Sequence, residues 1–163
     1  MIRLTFLLVA ALAGVASSRT HRVECGPGAA CGDAAKYGDG FAWQTRGPLE
    51  FLSELRSIAA RRDPAGPPAI YSVYGEHLGW VQESDVRQLM GMIDSTAKCA
   101  AVVSTLSSVL PSEESTVGRE AMFLIEGYRA GRYPSAIGSN FCTCDAEEIR
   151  RWWGERPHGQ SGS

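Results

Sequence analysis

From Pro48 to Trp153 the apolar side chains recur every third or fourth residue, and that spacing constrains the fold more than any other feature of the chain. Pro48 opens a helix where its missing N–H costs nothing, and Leu49, Leu52, Leu55 and Ile58, with Phe51, give it one apolar face. The run Asp63 to Pro68 ends it. Ser84 or Asp85 caps a second helix carrying Val86, Leu89, Met90 and Ile93. After Asp94-Ser95-Thr96, the residues Cys99, Val102, Val103, Leu106, Val109 and Leu110 predict a third, closed by Pro111. Val117, Ala121, Leu124, Ile125 and Tyr128 mark a fourth, with Ser115 or Thr116 as its cap and Gly131 as its C-terminal stop. Gly118 and Gly127 would weaken that helix in water, so close packing against neighbours is expected there. Asp145 and Glu148 have the spacing of a capping box before Ile149, Trp152 and Trp153.

Two stretches break the helical period. Ala69 to Tyr74 and Leu78 to Val81 are β-branched and aromatic around Gly75-Glu76-His77, which reads as a small hairpin. Residues 19–47 are rich in glycine and read as loop, with Tyr37, Phe41 and Trp43 tucked beneath it. The expected fold is therefore mainly α: a compact bundle of about five helices with a β-hairpin insertion and one or two disulfides. The expected limits are a signal peptide over 1–18, the glycine-rich region over 19–47, a helical domain over 48–156 and a disordered tail over 157–163. The helix pairs 84–110 and 115–130 have the lengths of helical-hairpin repeats such as HEAT, yet no repeated consensus accompanies them.

Arg3, the apolar run from Leu4 to Val15 and the small residues Ala16-Ser17-Ser18 have the order of a secretory leader. A spanning helix needs roughly 20 apolar residues, and this run stops sooner, at Arg19 and Arg22. The chain is thus expected in the periplasm or the medium, with no stable membrane span once the leader is cut. Without Arg3 there are 15 basic and 18 acidic residues, a net charge of about −3, and no basic cluster interleaved with aromatics. Nucleic acid, which is held by phosphate neutralisation, is excluded as a partner on that ground.

All five cysteines follow the leader, where disulfides persist. Five allow fifteen ways of making two bonds, and the expectation is Cys25 with Cys31, and Cys99 with Cys142 or Cys144. Loops of about 7 and about 44 residues would be worth roughly 2.4 and roughly 4 kcal/mol. A zinc site of Cys25, Cys31, Cys142 and Cys144 is disfavoured, because C-x5-C and C-x-C miss the usual spacing. No metal and no cofactor is expected.

Catalytic signals are sparse. The chain has no G-x-S-x-G, H-E-x-x-H, G-x-x-x-x-G-K or EF-hand pattern. His77 beside Glu76 is the one pair placed for acid–base work, as in a secreted hydrolase, although a turn histidine is commonly just solvated. Glu120 and Glu126 diverge by about 240 degrees round their helix, so they read as a solvated or ion-paired face rather than a glycosidase pair. Trp152 and Trp153 point about 100 degrees apart, so one is expected to be half exposed. Trp152 and Trp153, and separately Trp43, are candidate binding-surface residues, since exposed tryptophan typifies interface hot spots.

The stretch from Phe123 to Pro157, with Glu126-Gly127-Tyr128-Arg129-Ala130-Gly131, Phe141-Cys142 and a closing Trp152-Trp153, resembles periplasmic immunity proteins against secreted amidases. The likeness spans about a fifth of the chain and lacks a cysteine just before the Gly-Tyr pair. It implies a protein partner, in line with the residue reading: a non-enzymatic inhibitor, immunity protein or adaptor of the envelope. A secreted hydrolase and a purely structural envelope protein are the alternatives.

Overall fold

The computed structural model describes residues 36–38, 40–107, 111–136 and 144–156. All belong to one unit of the chain, Gly32–Ser163. The expected leader, the tail, Cys25, Cys31 and Cys142 lie outside the described residues.

The backbone runs β1 (Lys36–Gly38), α1 (Pro48–Ala60), β2 (Ile70–Val73), β3 (His77–Leu78), α2 (Glu83–Leu89), β4 (Lys98–Cys99), β5 (Ala101–Ser104), β6 (Ser115–Thr116), α3 (Val117–Ala130), β7 (Arg132–Tyr133) and α4 (Ala146–Glu155). Among the described residues, four helices and three small sheets replace the expected five-helix bundle. The largest sheet is parallel, in the order β1-β2-β5, with Ile70 opposite Lys36 on one side and Ala101 on the other. Parallel neighbours require a crossover. Helix α1 supplies the first, and β3, α2 and β4 together supply the second.

Two expectations fail here, the first because a covered strand and a buried helix look alike in sequence and the second because strand pairing is non-local. A short apolar run has the same appearance in a buried strand as in a buried helix, because both faces are covered. Residues 99–110 were expected as helix, but Lys98–Cys99 pairs with β6 and Ala101–Ser104 joins the parallel sheet. Val102 and Val103, both β-branched, are buried on opposite sides of that strand. The expected hairpin does not form either. All four residues of β2 are buried between parallel partners, while β3 pairs antiparallel with β7, His77 opposite Tyr133. The glycine-rich region, expected as loop throughout, contributes β1.

The remaining helices lie where apolar stripes were expected, with α2 capped elsewhere. Pro48 stands at the first position of α1, and the Glu50 carboxylate accepts from Gly47 N–H at 2.9 Å. The α2 cap is Gln82 rather than the expected Ser84 or Asp85: its N–H donates to Asp85 at 2.9 Å inside the first turn, and the helix ends at Leu89, before Ile93. Thr116 caps α3 by accepting from Arg119 N–H at 3.2 Å, and Gly131 closes it in the left-handed region at φ 69°. Asp145 caps α4 by accepting from Glu147 N–H at 2.8 Å, while Glu148 reaches Arg129 instead of completing the box.

Helix α3 is the hub of the core, and its two glycines are there for contact. A Cβ on Gly118 would stand 2.4 Å from the Ile93 carbonyl oxygen, and Gly118 N–H donates to Ser95 O at 3.0 Å. A Cβ on Gly127 would stand 2.9 Å from the Tyr133 ring.

Cys99 is a free thiol with 0% exposure, so the expected bond from it to Cys142 or Cys144 does not form. Cys144 is disulfide-bonded, but no bond joins two described cysteines. Strand pairing with β6 turns Cys99 into the core, where it packs as a small apolar residue.

Candidate functional site

Phe41, Trp43, Phe51, Tyr71, His77, Trp80 and Tyr133 form one aromatic cluster where the start of α1 meets the β3–β7 ribbon. Residues directly opposite in an antiparallel ladder share a face, so His77 turns inward with the wholly buried Tyr133. Its imidazole lies flat on the Trp43 indole, centroids 3.9 Å apart and planes 14° apart. Trp80 stands edge-on to Trp43 at 4.7 Å and donates its Nε1–H to Arg46 O at 3.0 Å. Arg46 covers Phe41 from 4.5 Å. Gly75 and Gly79, at φ 75° and 59°, make the sharp turns on either side of β3.

Alternation sends the next side chain outward. Leu78 is 76% exposed, and Tyr74, just before the turn, is 54% exposed. The segment Tyr74–Leu78 therefore presents two large apolar side chains to water while its inward residue is fixed on a rigid aromatic base. Glu76 is engaged elsewhere: its carboxylate accepts from Arg132 Nη1 at 3.0 Å. The expected Glu76–His77 relay is not assembled, because the carboxylate faces Arg132 and the imidazole faces Trp43.

A second group of polar side chains lies inside the core. Glu120 is 5% exposed, and Oε1 accepts from Val102 N–H at 3.5 Å, the long limit of a hydrogen bond. Burial pushes its pKa up to about 7; Ser115, the Val102 bond and the Arg119 charge pull it back only in part. Ser115 Oγ steadies the carboxylate without meeting ordinary hydrogen-bond geometry. Oε2 has no partner among the described residues. Burial, reinforced by Glu120, raises the Tyr133 phenol and the Cys99 thiol well above their ordinary values. These groups are at most 5% exposed.

The expectation of a solvated Glu120 is thus corrected. Position 120 falls between Val117 and Leu124 on the buried stripe of α3, three residues after one and four before the other. That register was readable in the sequence. Glu126 does pair in the open, with Arg129 at 2.6 Å.

Trp152 and Trp153 are both half-buried, against an expectation of one. Arg129 lies over Trp152 at 5.1 Å, and Arg156 lies over Trp152 and Trp153 at 5.0 and 5.9 Å. Cation–π contacts from their own chain occupy these rings. Trp43 and the Trp152–Trp153 pair belong to separate aromatic groups.

Among the described residues no three possible metal ligands come together, and no helix is long and apolar enough to cross a membrane. The chain matches no family model, no curated protein and no solved structure.

Proposed function

We propose that the chain is an exported, non-enzymatic protein-binding module that meets its partner through the Tyr74–Leu78 segment. The observation that carries this reading is Leu78, an apolar residue 76% exposed next to a histidine stacked on tryptophan. Burying a leucine of that exposure stabilises an association by roughly 1.5–3 kcal/mol. Binding is also favoured when little must be ordered first, and the Trp43–His77–Trp80 base holds the segment in place beforehand. Arg46, Glu76 and Arg132 give the segment charged neighbours, the usual rim of an interface core.

The hydrolase alternative has less support. A general base must lie within hydrogen-bond reach of the proton it takes. Glu76, the carboxylate expected to work beside His77, pairs with Arg132.

A photo-crosslinking amino acid placed at position 78 in the expressing cell tests the proposal. The expected result is a discrete protein adduct that is absent when the same group stands at position 151, on the exposed side of α4. Equal adducts at both positions, or none at 78, would overturn it.

A further inference from the structure

The core of α1 is made by Phe51, Leu52, Leu55 and Ile58. Ser53, Arg56, Ser57 and Ala60 fall on the other side of the same helix, at offsets of 0, 3, 4 and 7. That stripe, with Ala97, Lys98 and Glu114, lines an open groove of about 690 Å³. Serine and alanine make up part of its lining and leave space that larger residues would close. Its volume lies within the roughly 300–1,000 Å³ of small-molecule sites.

The charges along it are unbalanced. Arg62 and Glu114 neutralise one another at 2.6 Å. Arg56 and Lys98 are both exposed, and neither has an ion-pair partner among the described residues. Both side chains line the same groove. The chain as a whole carries a net charge of −2, so a pair of uncompensated cations in a groove is a local reversal of sign. A groove lined by one sign of charge concentrates ions of the other, and a guanidinium fork matches carboxylate or phosphate oxygens.

We propose that this groove binds a small oxyanion, a compact molecule bearing carboxylate or phosphate groups, held between Arg56 and Lys98. The Ser53 hydroxyl supplies a neutral hydrogen bond at the groove's edge. The inference is independent of the protein-binding segment, which stands at the other end of α1 around Trp43 and Arg46.

Citrate and inorganic phosphate, added separately to the full chain at matched ionic strength and followed by amide chemical shifts, test it. The expected result is saturable shifts confined to Ser53–Ala60 and Ala97–Lys98 with at least one probe. Citrate alone identifies a carboxylate ligand, phosphate alone a phosphate ligand, and both a shared oxyanion site. In the Arg56→Gln, Lys98→Gln double variant the affinity should fall at least tenfold. Arg61→Gln removes a cation that faces Glu54 at 3.6 Å outside the groove, and should leave binding unchanged. No saturation with either probe, unchanged affinity in the double variant, or an equal loss in Arg61→Gln would overturn the proposal.

Discussion

Glu120 places an acid where an apolar side chain would ordinarily stand, and its cost depends on pH. Its folded pKa, about 7, is above the ordinary 4.5, so the native state holds a proton that the unfolded chain has released. The stability is complete below about pH 4.5, declines as pH rises toward 7, and is lost above it. The span is worth on the order of 3 kcal/mol. Glu120→Gln mimics the protonated acid and should flatten the profile, unfolding at higher urea than the wild type at pH 8 and at nearly the same urea at pH 5. A wild type whose urea midpoint does not move between those pH values would show that the carboxyl is not buried as described. The Cys99 thiol, wholly enclosed and held protonated by burial and by Glu120, should resist iodoacetamide in the native protein. Peptide mass spectrometry should find it alkylated only after denaturation.

At the scale of the element, the two kinds of glycine in the helices separate cleanly. Gly118→Ala drives a methyl into the Ile93 carbonyl and should cost about 2–3 kcal/mol, read as a fall in the urea midpoint. Gly154→Ala in α4 meets nothing within 4 Å and should leave stability unchanged or raise it by about 0.5–1 kcal/mol. The helices were legible because their caps and stripes agree: Pro48, Thr116, Gly131 and Asp145 stand where the structure puts the helix ends. The strands were not, because pairing is a non-local property. Nothing within Ala101–Ser104 announces Ile70–Val73 as its neighbour, and the apolar spacing of Cys99, Val102 and Val103 fits one helix face as well as a covered strand. Tyr74 to Trp80 has hairpin composition, yet the partner of His77 stands 56 residues on, at Tyr133.

For the molecule as a whole, both proposed binding sites lie at the edges of a small α/β core rather than within it. Trp43 and His77 were each visible as residues of interest, but their stacking was not, since it depends on the β3–β7 pairing. Leu78, the residue on which the binding proposal rests, carried no signal: a leucine in an apolar run looks like core until the ribbon's register turns it outward. The most direct test uses the partner identified by the crosslink at position 78. Its affinity for the wild type and for Leu78→Lys should differ by tenfold or more, with the two proteins unfolding at the same urea concentration. Equal affinity would contradict the assignment of this segment as the binding surface.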